Sequence, residues 1–264
     1  MPGPVDVGRA SCGEVTGSPF RTASRHGMAA LDELSPLIEP LLAATGAPTT
    51  ARTPWLRAWA RCHPAHHPWV VCVYDADDLV GAALLSVRRS LGLRHVVALG
   101  HHDSDHARFP VLNQHAAEAL ARAIVVGLRD LGPAWSLHLE QFPADDPVLH
   151  HLAALLSCAE IEPGAPLPVL AIPPDLPAEK YASKKFRQQT RAARRRFEEE
   201  GLTVELRYER QHERIEALLP EIREIRRSRD HDRGRKSGLD GSVGENWWRH
   251  VTLGGARARA VFCA

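Results

Sequence analysis

The chain is poor in the residues that build covalent or metal frames. Its 264 residues include only five cysteines, Cys12, Cys62, Cys72, Cys158 and Cys263. They are odd in number and widely spread, and no Cys-x-x-Cys occurs. That spacing argues against a disulfide framework or a cysteine zinc site and fits reduced, mostly buried thiols of a cytoplasmic protein. No stretch approaches 18 uninterrupted apolar residues, so no membrane span is expected. There is no excess of either charge: Lys plus Arg is 33 and Asp plus Glu is 32. The molecule as a whole therefore has no electrostatic pull towards nucleic acid or an acidic membrane. Residues 1–27 lack the apolar run of a secretory signal and are rich in Gly, Ser and Pro. Residues 1–28 read as a loose, disordered tail.

What is present is ordinary globular material, 44% hydrophobic, in a length that suits one large or two modest domains. Leu31, Leu34, Leu37, Ile38, Leu41 and Leu42 recur at helical spacing, and Pro36 and Pro40 are expected to break that helix into pieces. Thr53-Pro54-Trp55 opens a short helix through Trp59, with Thr53 as its cap. Trp69–Tyr74 and Leu79–Val87 are apolar runs across the polar turn at 75–78, which reads as a hairpin. Leu93–Leu99 is a third strand. Gln114–Leu131 is an amphipathic helix stopped by Gly132-Pro133. Trp135–Leu139 is a strand and Pro147–Leu156 a helix.

Five prolines between residues 163 and 174 mark a domain boundary at about 165. Beyond it the pattern predicts a long helix over 177–200, a strand over 202–208, a helix over 215–225 and a short helix over 246–253. A last strand begins at 258. Two strands and three helices make a thin core, so this half is expected to lean on the first or to be incomplete.

Several stretches resemble the CelD-like acetyltransferases, relatives of the FemAB peptidyltransferases within the GNAT superfamily. Pro54-Trp55-Leu56-Arg57-Ala58-Trp59 is similar to their Trp-rich opening segment. Gly81-Ala82-Ala83-Leu84-Leu85 resembles their second strand, and Leu99-Gly100 with Ser104-Asp105 their following loop. Ser183-Lys184-Lys185-Phe186-Arg187, running on to Arg194-Arg195-Arg196-Phe197 and Gly201, resembles their basic connecting helix. The resemblance covers residues 30 to 260. It implies an α/β fold of two tandem GNAT-like domains, at 29–165 and, incompletely, at 166–264. It also implies acyl transfer from acetyl-CoA to an amine of a small molecule or of a cell-envelope or polysaccharide precursor. In such relatives a strand-to-helix turn late in the second domain cradles the donor pyrophosphate. This sequence stops before that turn, so the acetyl-CoA pocket is expected to be incomplete.

Acyl transfer needs a base to take the amine proton. Glu140, at a strand end, and Asp105 and His106, in the loop after the third strand, are the candidates. His101-His102-Asp103-Ser104-Asp105-His106 nearly spells a dinuclear metal motif, but further ligands cannot be placed and no metal is expected. His63, His66 and His67 read as solvated loop residues. Arg129-Asp130-Leu131-Gly132-Pro133-Ala134 matches a phosphate-loop string but follows a helix, so it reads as a helix end. Trp247 and Trp248 read as core anchors.

The densest charge lies on the connecting helix. Lys184, Lys185, Arg187, Arg191, Arg194, Arg195 and Arg196 occur with no acid between them, while Phe186, Thr190, Ala193 and Phe197 form a stripe that can pack. Seven like charges call for an anionic partner. Trp55, Lys184, Arg187, Arg191, Arg194 and Arg195 are the candidate substrate-binding residues. A second basic cluster, Arg223 to Lys236, would add to the site if both faced one cleft. The alternative function is a non-catalytic anion- or RNA-binding module that uses helix 184–196.

Overall fold

The computed structural model describes residues 19–104, 106–164, 183–203, 206–209, 211–254 and 260–263. Its first part is a five-stranded sheet in the order β1-β2-β3-β4-β5, made of β1 Phe20–His26, β2 His67–Asp75, β3 Asp78–Ser90, β4 Leu93–Ala98 and β5 Trp135–His138. Neighbours are antiparallel except β4 and β5, which are parallel. A parallel step needs a crossover, and α3 (Gln114–Asp130) supplies it.

Both faces of the sheet are covered, which is why β2 is a continuous apolar run rather than an alternating one. Trp69, Val71 and Val73 face α3 and α4 (Pro147–Leu155) in one core cluster. Val70 and Cys72 face the other way, onto α1 (Met28–Ala44) and α2 (Thr53–Cys62). The closest approach is at Gly127 of α3, where a Cβ would collide with the Trp69 ring. Trp69 is fully buried and its indole N–H donates to Ser24 Oγ at 2.7 Å.

Three sequence expectations are corrected here. Residues 20–26, expected in a disordered tail, form the edge strand β1 on β2. Their polar composition hides a strand that exists because β2 offers it an edge. Residues 28–44, expected in pieces, form one helix despite Pro36 and Pro40. Leu31, Leu34, Ile38, Leu41 and Leu42 are all buried along it, and that burial outweighs the lost backbone bonds. Thr53 does not cap α2 through its side chain. Its hydroxyl and backbone N–H instead both donate to Glu39 Oε2, at 2.6 and 3.0 Å, tying α2 to α1.

The remaining elements are α5 (Lys184–Glu199), β6 (Leu206–Glu209), α6 (His212–Asp232), α7 (Ser242–Gly254) and β7 (Ala260–Cys263). β6 and β7 pair antiparallel as a separate two-stranded sheet. α7 docks on the first part: Trp247 meets Trp55 of α2 edge-on, with ring centroids 4.9 Å apart. Among the described residues no helix is long and apolar enough to cross a membrane. Cys62 and Cys72 are free and buried, and Cys158 is free and exposed.

Candidate active site

The parallel pair β4–β5 places two loops side by side at its carboxyl end. After β4 the chain leaves the sheet at Gly100 and returns at Val111, which bridges Gly81 of β3. This excursion is pinned on every side. Asp103 accepts the Trp59 indole N–H at 2.8 Å, Ser104 Oγ donates to Thr50 O at 2.9 Å, and Ala107 N donates to Gln141 O at 3.0 Å. Gly100 turns the corner at a φ of 89°, and a Cβ there would run into Ser104 Oγ and Leu56. After β5, Asp146 caps α4 and also accepts the Phe109 N–H at 3.3 Å. Phe109 and Phe142 then meet across the two loops, tilted by 35° with ring centroids 4.7 Å apart.

Glu140 lies where these loops meet, among three imidazoles. Its Oε1 is 2.8 Å from His138 Nε2. Its Oε2 is 3.6 Å from His101 Nδ1 and 3.7 Å from His102 Nδ1. The His101 and His102 rings lie 3.7 Å apart. His101 is the most enclosed, with 13% of its side chain exposed, against 74% for His102 and 40% for Glu140. Burial pushes the His101 pKa down, and the neighbouring His102 adds to this, while Glu140 opposes both. His101 is thereby favoured in its neutral form.

The backbone under this cluster is strained. His102 has a φ of 68° and Gln141 a φ of 62°. Among the described residues the other two non-glycine positions with positive φ, Ala76 and Leu91, belong to hairpin turns. A non-glycine residue held in the left-handed region costs about 1–3 kcal/mol, and such strain gathers at functional sites.

The sequence candidates divide. Glu140 is at the centre of the cluster. Asp105 lies outside the described residues. His106 lines a cavity of about 20 Å³ with Leu42, Leu56 and Phe109, room for about one water molecule. Trp55 packs against Trp247, so its ring faces a helix and not an open groove. Lys184, Arg187, Arg191, Arg194 and Arg195 sit on α5, where every residue from 183 to 203 is exposed and no stripe is packed. Phe186 and Phe197, expected to be that stripe, are 60% and 41% exposed. Arg194 and Arg196 pair with Glu198 and Glu200 along the helix. Three cations of the second basic cluster pair within their own half. Arg223 pairs with Glu245, Arg226 with Asp230, and Arg227 with Asp240 and the Leu239 carbonyl. The pocket that Arg229 and Arg233 line includes no residue of α5.

Other expectations fall into place. Arg129-Asp130-Leu131-Gly132 ends α3, with Gly132 at a φ of 102° and its N–H on Arg129 O. His63 stacks on Trp59 at 4.4 Å and bonds its carbonyl, and His66 bonds Ser86 Oγ. These two are therefore held by the fold rather than merely solvated. His138 is the functional candidate the sequence reading misses. A signal was available, since His138 and Glu140 are two residues apart at a strand end and so share a face.

No protein-family model matches the chain, and no curated protein matches it in sequence. Among solved structures it is similar to TTHA1254 from Thermus thermophilus, at 21% identity over 56% of this chain. The wild-type form is covered to 96% with a TM-score of 0.28, and a point mutant to 99% with a TM-score of 0.31. A probable acetyltransferase matches at 15% identity over 58% of this chain and 99% of that one, with a TM-score of 0.33. Likenesses this weak carry no argument about activity.

Proposed function

We propose that the chain is a GNAT-like N-acyltransferase whose base is Glu140. The observation that carries the reading is the parallel β4–β5 pair with a carboxylate ringed by imidazoles at its carboxyl end. Open α/β sheets bind ligands outside the carboxyl ends of their strands, and an amine acceptor needs a proton acceptor there. From α1 onward the observed order of helix, short Trp-bearing helix, hairpin, third strand, long loop, helix and strand supports the same reading, since it is the order of the first half of a GNAT-like domain.

In this reaction the amine nitrogen attacks the thioester carbonyl of an acyl-CoA donor. A C–N bond forms, the C–S bond breaks and the CoA thiolate leaves. Glu140 takes the proton that the nitrogen sheds, directly or through a water. His138, in contact with the other carboxylate oxygen, orients the group. The acceptor is a small amine or an amine-bearing envelope precursor.

Transfer of acetyl from acetyl-CoA to a panel of amines, followed by thiol release in metal-free buffer, tests the proposal. Replacing Glu140 by Gln should lower kcat by about 10²–10⁴-fold, the usual range for a lost general base. Unaltered turnover in E140Q, or no heat on titrating acetyl-CoA into the wild-type chain, overturns it.

A second reading has one observation in its favour. Lys184, Lys185, Arg187, Arg191 and Arg195 are exposed, with no acid partner among the described residues. As an anion- or RNA-binding module, the chain would be retained on heparin or RNA in a salt-dependent way. Reversal of Arg191, Arg194 and Arg195 to Glu would abolish that retention. Retention unchanged by the reversal excludes this reading.

A further inference from the structure

We propose that His101, His102 and Glu140 form a binding site for a divalent transition-metal ion, zinc in the first instance, with His138 as the residue that positions Glu140.

Geometry is the first support. One ring nitrogen of His101, one of His102 and a Glu140 oxygen lie within 4.8 Å of one another. The separations of 3.6 and 3.7 Å from the two imidazoles to Glu140 Oε2 are too long for hydrogen bonds. They are close to a coordination edge: zinc holds nitrogen and oxygen ligands at about 2.0–2.2 Å, which in a tetrahedron sets ligands roughly 3.3–3.6 Å apart. A small inward movement of two side chains would complete the coordination.

The shell around the three ligands fits as well. A metal-binding carboxylate is normally held by an outer hydrogen-bond partner, and His138 Nε2 stands 2.8 Å from Glu140 Oε1, leaving Oε2 to face the two imidazoles. His101 is enclosed while His102 and Glu140 are open to solvent, so an ion has both a fixed wall and a way in. The left-handed backbone at His102 and Gln141 sets the two loops that carry the ligands. Two imidazoles and one carboxylate suit zinc, and less tightly cobalt, and leave at least one position for water or a substrate atom. His63 and His66 are already bonded to Trp59 O and Ser86 Oγ and lie outside the set.

This inference does not depend on acyl transfer. The two readings share Glu140, so a bound ion takes that carboxylate out of use as a base, and they describe metal-loaded and metal-free forms. Calorimetry reads the ion without any acyl substrate, so the failure of one reading is separable from the failure of the other.

The test is titration of the chelator-stripped full chain with Zn²⁺ by calorimetry and with Co²⁺ by visible absorption, alongside thermal melts to show that each variant folds. One ion per chain should bind at micromolar or lower concentration, with cobalt giving the intense bands of a low-coordinate site. His102→Ala and Glu140→Gln should each weaken binding by at least tenfold. His138→Ala should weaken it by about 10-fold, at the low end for loss of an outer partner, and the His63→Ala/His66→Ala pair should leave it unchanged. Absence of saturable binding overturns the proposal. So does an unchanged affinity in a folded His101→Ala/His102→Ala double variant, which would mean that the ion sits elsewhere or that the cluster is only a set of His–Glu contacts.

Discussion

Two charged regions of this molecule differ in what holds them. The cations of α5 are many and closely spaced, yet every residue from 183 to 203 is exposed, and Arg194 and Arg196 pair with acids of their own segment. The cluster around Glu140 has only four titratable groups, but a two-faced sheet and two pinned loops fix their positions. Charge density along the chain therefore says little about which groups the fold brings together. A helix displays its side chains to water unless something covers it, whereas strand ends bring residues from distant parts of the chain into one place.

That contrast can be broken most forcefully at Trp69, the pivot of the front half. Trp69→Ala should cost about 3–5 kcal/mol in denaturant unfolding, because a fully buried ring and its bond to Ser24 are lost together. A loss below about 1 kcal/mol, outside the usual range for such a truncation, would show that α3 does not clamp on β2 as described. The junction between the two parts is the next test. Trp247→Ala removes the edge-on contact with Trp55 and should cost about 2 kcal/mol, read as faster limited proteolysis around α7. Unchanged cleavage would mean that α7 is held by other contacts.

The next effect is one of pH. Partial burial lowers the pKa of His66 and His101 from the ordinary 6.5, with Arg88 and His63 adding to the effect at His66 and His102 at His101. A base with a lowered folded pKa binds protons more readily when unfolded, so the unfolded state gains as pH falls. Their contribution to stability is full above pH 6.5, and it should decline as pH falls below 6.5 towards the folded values. Melting curves that show no drop across that window would contradict the partial burial of these rings. The smallest effect belongs to α5. Arg191→Glu, Arg194→Glu and Arg195→Glu together should change stability by no more than about 0.5 kcal/mol, as surface substitutions do. A larger change would show that the helix packs against something after all.

Much of the front half is legible in the sequence. The hairpin, the third strand, α3, β5 and α4 follow from apolar periodicity and from turn residues such as 75–78 and Gly132-Pro133. β1 was not legible, because Phe20-Arg-Thr-Ala-Ser-Arg-His26 has no apolar alternation and becomes a strand only against β2. Nor was the unbroken α1, since local rules count two prolines and not the buried face that carries the helix past them. Glu140 was legible as a strand-end carboxylate. Its company was not: His101 and His102 are far away in sequence, and nothing local says that β4 and β5 lie side by side.

By itself the sequence determined where the chain is apolar, where it turns, and that residues 184–196 carry concentrated positive charge. These are properties of neighbours along the chain, set by propensity and periodicity. Tertiary structure alone decided that His101, His102, His138 and Glu140 would share one small volume and that the α5 cations would be exposed among the described residues. Proximity between distant residues depends on which sheet edges pair and which faces become buried, and no short stretch of chain encodes that.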